Sequence, residues 1–162
     1  MSEIMPKVRQ KVPGMTLTVV GRNPTSSLLQ LSKSDPAIIV TGRVEDVRPY
    51  MDRAAAYIVP LRIGGGTRLK IYEAMAMEKA IVSTTVGAEG LPVKNGQDIL
   101  LADAPEDFAK AVVDVLTDAR VAGELGQAAA ARVREEFGWD RVAREFSRVC
   151  EEVVEENARR AA

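Results

Sequence analysis

LRIGGGTRLKIYEAMAMEKAIVSTTVGAEGL, residues 61–91, places three consecutive glycines between an apolar run and a stretch with helical periodicity. Glycine costs backbone entropy and packs nothing. Gly64, Gly65 and Gly66 therefore imply a backbone angle closed to other residues, or a close approach by another group. Upstream, AAYIVPL (residues 55–61) reads as a strand. Downstream, residues 67–78 carry Leu69, Ile71, Tyr72, Met75 and Ala76 at helical spacing, and AIVSTT (80–85) reads as a second strand. Strand, glycine loop, helix and strand in that order form a βα unit followed by its next strand.

Working outward, the same alternation recurs. TLTVVG (16–21), AIIVTG (37–42) and DILLA (98–102) are further apolar runs, the first two ending in glycine. They are continuous rather than alternating, which suits strands buried on both faces of a parallel sheet. Helical patterns fall between them at 24–33 and 45–53. From Pro105 onward no strand pattern appears. Phe108, Val112, Val115 and Leu116 share a helix face, residues 121–136 are Ala-rich and helical, and Trp139, Val142, Phe146, Val149 and Val153 mark a last amphipathic helix. Asp103 and Glu106 have capping-box spacing around Pro105. The tail ENARRAA is expected to fray. The fold class is α/β: a doubly wound parallel sheet of about five strands with a helical C-terminal extension, read as a single domain over residues 1–162.

The totals remove several functions. With 162 residues, 46% hydrophobic and 28% charged, the chain has the composition of an ordinary globular domain. A net charge of −1 gives no general attraction to nucleic acid, and none is expected as a partner. There is no histidine, so no His-based triad, base or metal ligand can be built here. No Asp-x-Asp pair is present to hold a divalent metal against a diphosphate, and the one cysteine, Cys150, supports no disulfide within the chain. No metal site is expected. The lack of a leader pattern or an apolar span points to a cytoplasmic location.

Gly64–Gly66 follow the end of a strand and precede the start of a helix, on the edge where open α/β sheets bind ligands. A helix N-terminus offers unpaired N–H groups and about half a unit of positive charge. Thr67 adds a hydroxyl, and Arg68 and Lys70 add cations. This composition suits a phosphate cradle, yet it matches neither a P-loop nor a dinucleotide fingerprint. The glycines alone are equally compatible with a tight turn that holds nothing. Glu73 lies too far into the helix to cap it and sits among Ile71, Tyr72, Ala74, Met75 and Ala76, so it needs a partner. Two ribose hydroxyls would serve. An ion pair with Arg68, Lys70 or Lys79 would also serve, and spacing alone favours the ion pair.

The stretch PLRIGGGTRLKIYEAMAMEKAIVSTTVGAEGL resembles the donor-site signature of the retaining GT-B glycosyltransferases of the group 1 family. LTVVGRNP, VTGRVEDVRPYMDRAAAYIVPLR, NGQDILLADAPEDFAKAVVDVLTD and FGWDRVAREFSRVCEEV extend the resemblance from about Val8 to Val154. It implies a Rossmann-like C-terminal domain that binds a nucleotide sugar, as UDP-sugar or GDP-sugar substrate, with no cofactor. By the same resemblance Glu73 matches the ribose-binding Glu, Gly66–Leu69 the segment nearest the diphosphate, and Gly42, Arg43 and Val44 the region beside the base. Together with Gly64, Gly65 and Lys70 these make the expected donor site; no catalytic residue is assigned. The family's Glu-x7-Glu pattern is broken, because Gly65 stands where its first Glu falls.

The resemblance also implies an N-terminal acceptor domain absent from this sequence, and a full-length enzyme peripheral to a membrane. The usual first strand of the domain is missing too. In a sheet of order 3-2-1-4-5-6 that strand is central. Its loss predicts a rearranged sheet, or pairing with a second copy through exposed edges. The chain alone is expected to be inactive. Two other readings stand beside this one: a non-catalytic interaction module on the same scaffold, and a fragment of a sugar-nucleotide epimerase. Arg43, Arg48, Arg53 and Arg62 form either a basic rim or, more simply, solvated surface. Met75, Met77, Trp139, Phe146 and Cys150 are expected in the core. Gly87, Ala88, Glu89 and Gly90 form a loop on the same edge as the triple glycine, where Glu89 is either a donor contact or, more simply, a plain loop carboxylate.

Overall fold

The computed structural model describes residues 3–66 and 68–161. Its elements run α1 (Ile4–Lys11), β1 (Leu17–Val20), α2 (Ser26–Ser34), β2 (Ile38–Gly42), α3 (Arg48–Arg53), β3 (Tyr57–Val59), α4 (Leu69–Ala76), β4 (Ile81–Ser83), β5 (Leu100–Leu101), α5 (Pro105–Thr117), α6 (Ala119–Phe137) and α7 (Trp139–Ala161). Every apolar run forms its strand, but each is shorter than the run. β3 stops at Val59 because Pro60 has no N–H to continue a ladder. The helices start where local chemistry allows. The Thr25 side chain accepts from the Leu28 amide at 3.3 Å, and Asp118 accepts from the Arg120 and Val121 amides.

All strand pairs are parallel, as expected, but the five strands divide into two sheets. β1 pairs only with β2, while β3, β4 and β5 form a second sheet in that order. The sheet is therefore broken rather than rearranged. The break falls between β1 and β3, where a strand order with a central first strand would place that strand. β1 and β3 each keep one unpaired edge. Leu17 and Gly21 donate to β2 and its preceding residue, so the alternation of a parallel ladder turns the Thr18 and Val20 backbones to the free edge. By the same alternation Ile58 of β3 faces the break.

The core lies on both faces of the three-stranded sheet. Ile4 and Val8 of α1 pack with Val82 of β4 and with Phe108, Ala109, Val112 and Val115 of α5 on one face. Met51 of α3 and Ile71, Ala74 and Met75 of α4 pack with Ile81 on the other. α6 contributes Leu125 to the first layer and Ala129 to the second. α1 bridges the break, because its Met5 joins Leu17 and Ile38 of the smaller sheet, with Ile58 packed against them. β4, paired on both sides, is buried throughout; β1, β2 and β3 are only partly so. Burial on both faces thus holds for one strand of the five.

Several expectations about the C-terminal part are overturned. Asp103 does not cap α5, whose N-cap is Ala104 without a side-chain bond. Asp103 instead accepts from the Thr85 amide at 2.8 Å and hydroxyl at 2.7 Å, joining the ends of β4 and β5. The tail does not fray, since α7 continues to Ala161, supported by i,i+4 pairs such as Arg159–Glu155. Trp139 and Phe146 are 87% and 70% exposed, and Cys150 is exposed. The rest of the apolar stripe of α7 is exposed too, at Val142, Val149 and Val153, although the helix adjoins α6. Met75 and Met77 do pack in the core.

Candidate functional site

The glycine loop leaves β3 through Pro60 and reaches α4, whose N-cap is Arg68. It therefore sits at the C-terminal end of a strand and the N-terminal end of a helix, as the sequence implied. The first amides of α4 have no partner four residues back. Gly66 has φ +84°, a left-handed conformation that explains one glycine directly. Thr67 lies outside the described residues.

A second loop, after β4, forms the neighbouring wall. Thr84 donates its hydroxyl to the Leu61 carbonyl and accepts from the Gly87 amide at 2.9 Å, while its own amide bonds the Val59 carbonyl at 3.2 Å. Ser83 and Thr84 are buried and hydrogen-bonded, as buried hydroxyls must be. Gly87 is needed by contact: a Cβ there would lie 2.8 Å from the Val59 carbonyl and strike the Ser83 hydroxyl. Sequence reasoning placed the loop from Gly87 to Gly90 on this edge but missed Ser83 and Thr84. The signal available was a run of small hydroxyl residues at a strand end, three residues before a glycine.

Arg68 binds protein rather than facing solvent. Its guanidinium donates to the carbonyls of Gly65 (3.0 Å), Gly64 (3.1 Å) and Val86 (2.9 Å). Lys70 and Glu73 form an exposed ion pair at 2.9 Å, so Glu73 has the partner that spacing favoured. Such a pair is worth about 0.2–1 kcal/mol, too little to hold either side chain against a better partner. The phenol of Tyr57 is pushed up by burial and further by the Glu73 charge. Leu69 and Ile63 are exposed apolar residues beside the loop.

Gly42, Arg43 and Val44 stand at the C-terminal end of β2, and Gly42 has φ +69°. No hydrogen bond or salt bridge among the described residues joins them to the glycine loop. Of the expected rim, Arg48 pairs with Asp46 and Arg53 bonds the Pro49 carbonyl. Arg62 stands 4.0 Å from Glu3, and Arg43 has no salt-bridge partner among the described residues. Glu89 is an exposed loop carboxylate. No cluster of residues able to hold a metal occurs among the described residues.

A parallel α/β scaffold with a glycine loop between strand end and helix start defines a Rossmann-like domain of the GT-B glycosyltransferase type. More particularly, residues 1–118 match the model of the glycosyl transferases group 1 family, and the chain belongs to that family. An uncharacterized glycosyltransferase of Methanocaldococcus jannaschii is 26% identical over 121 residues, covering 72% of this chain and 31% of that protein. An uncharacterized 44.6 kDa protein from the cps region of Klebsiella pneumoniae is 25% identical over 121 residues, 70% of this chain and 31% of its own length. This chain thus spans about a third of these relatives. Among solved structures, the C-terminal domain of a Francisella tularensis group 1 glycosyl transferase, LpcC, superposes with a TM-score of 0.71 at 18% identity, covering 85% of this chain and 80% of that one. Anabaena HepE in complex with UDP gives 0.80 at 15% identity, over 94% and 45%. No described helix is long and apolar enough to cross a membrane.

Proposed function

We propose that this chain is the donor-binding part of a longer glycosyltransferase that moves a sugar, with retention, from a nucleoside diphosphate sugar to an acceptor. The observation that carries the reading is the glycine loop, held open at the end of β3 and leading straight into α4. In this reading the diphosphate lies against Gly64, Gly65, Gly66, Thr67 and the first turn of α4, from Leu69, with Lys70 adding charge. Glu73 exchanges its exposed ion pair for the ribose hydroxyls. Gly42, Arg43 and Val44 lie beside the base. Departure of the diphosphate is assisted by fixed N–H donors and cations, without a tightly bound metal. The acceptor site belongs to another part of the enzyme, so this chain alone is inactive. The UDP and UDP-glucose complexes of HepE, and the UDP and GlcNAc complex of the pneumococcal O-GlcNAc transferase GtfA, support a nucleotide sugar as partner.

Calorimetric titration with UDP and GDP tests this. Binding of one nucleotide, weakened about tenfold or more by Glu73→Ala, is expected; tenfold corresponds to about 1.4 kcal/mol. Absence of binding to either at millimolar concentration would overturn the reading and leave the chain as an interaction module.

A further inference from the structure

We propose that Arg68 is the positioning residue of this site, acting on the protein rather than on the ligand. Its guanidinium hydrogen-bonds both walls, holding Gly64 and Gly65 from the loop after β3 and Val86 from the loop after β4, beside the shorter link that the Thr84 hydroxyl makes between Leu61 and Gly87. A planar fork can serve three carbonyls in two segments at once. Nη2 alone reaches both walls, at Gly64 and Val86, while Nη1 fixes Gly65; a lysine has no second nitrogen to hold the Gly65 carbonyl in that plane.

The consequence lies in the peptide planes. In a trans peptide the N–H of one residue points opposite to the C=O of the residue before it. Turning the Gly64 and Gly65 carbonyls toward Arg68 therefore turns the Gly65 and Gly66 amides away from it. Neither amide has an acceptor among the described residues. Two successive outward N–H groups make an anion-receiving concavity. Arg68 thus sets the direction of two donors that it does not itself supply. The glycine at 64 follows from the same contact: a Cβ there would stand 3.3 Å from the Arg68 Nη1, tight against a group already held by three acceptors. The Arg68 Nε is buried without a partner, as expected if the side chain is placed by its outer nitrogens alone.

The ligand part of this inference rests on the donor reading above; the loop part does not. The test compares Arg68→Lys and Arg68→Ala with the wild-type chain, by amide hydrogen exchange without ligand and by titration with UDP and GDP. Expected is faster exchange in residues 85–89, whose amides at Thr85, Gly87, Ala88 and Glu89 are hydrogen-bonded, in both variants, with the β4 amides still protected. Expected also is at least a tenfold loss in affinity for whichever nucleotide binds, equal for Lys and Ala. Recovery of affinity by Lys would show that charge matters rather than the fork, and would overturn the proposal. Unchanged exchange in the loop after β4 would overturn it as well. If the wild-type chain binds neither nucleotide, the donor reading fails, and the exchange result still decides whether Arg68 sets the loops. Gly64→Ala supplies a second route. It should loosen the loop after β4 in the wild-type background and add nothing to Arg68→Ala, because both changes break one contact; full additivity would count against the contact.

Discussion

The two sheets of this molecule use the same kind of sequence to different effect. β1 and β2 are as β-branched as β3 and β4, and both pairs are parallel. Yet the three-stranded sheet is covered on both faces, and its central strand β4 is buried throughout. The two-stranded sheet carries α2, which has no buried residue and leaves Leu29 and Leu31 partly exposed. The difference comes from neighbours, not composition. A strand becomes a core strand when both its edges are paired and both its faces covered.

Four experiments would break or sharpen that contrast. The largest effect is expected from Ile81→Ala in β4, which removes a fully buried side chain and should cost about 2–5 kcal/mol in urea unfolding. Ile39→Ala in β2, at a position 47% exposed, should cost about 0.5 kcal/mol or less; comparable costs would end the distinction. Next comes Gly126→Val in α6. A Cβ there would strike the Glu78 carbonyl, which is backbone and cannot swing away. The change should destabilise by about 1–3 kcal/mol, read in the same unfolding assay.

The free edges come third. We propose that the unpaired backbone of β1 pairs with a second copy when the chain is isolated, so sedimentation should show concentration-dependent dimers. Thr18→Pro removes an edge N–H and should weaken that association by about tenfold, roughly 1–1.5 kcal/mol for one lost hydrogen bond. Dimers indifferent to the substitution would locate the contact elsewhere. The smallest effect concerns Asp103. The Thr85 hydroxyl and amide hold its carboxyl below its ordinary value of 3.8. A lowered folded-state value means that its stabilisation is complete above that ordinary value and fades as pH falls through the lowered one. Wild type and Asp103→Asn should therefore differ by a constant amount in thermal melts above about pH 5, and converge as pH falls below the ordinary carboxyl value. A gap that widened with acid would reverse the sign.

Much of the architecture was legible because its signals are local. Five apolar runs gave five strands, glycines marked the ends of two, and Pro60 could have shown where β3 stops. The position of the glycine loop followed from the same punctuation. The break between β1 and β3 was not legible from periodicity, since Thr18 or Ile58 looks the same with or without a neighbour. Its location followed only from the resemblance and its missing strand. The stripe on α7 misled for a related reason. Spacing shows that a helix has an apolar side, and says nothing of what lies opposite. Asp103 misled because capping-box spacing competes with any amide that tertiary folding brings close. At the site, Arg68 was picked out for its charge, while the structure gives its fork an internal use. Thr84 escaped notice because its partners, Leu61 and Val59, are more than twenty residues away in sequence.

The chain's one tryptophan stands at the start of α7 and is 87% exposed. Indole emission is therefore water-quenched and red-shifted in the native protein already, and melting the sheets would hardly change it. A denaturation curve followed by tryptophan fluorescence would describe the junction of α6 and α7 and stay dark to the core, where Phe108 is the buried ring. The same placement makes Trp139 a built-in reporter of the outer helix: whatever comes to lie along α7 should announce itself by a blue shift, with no label attached.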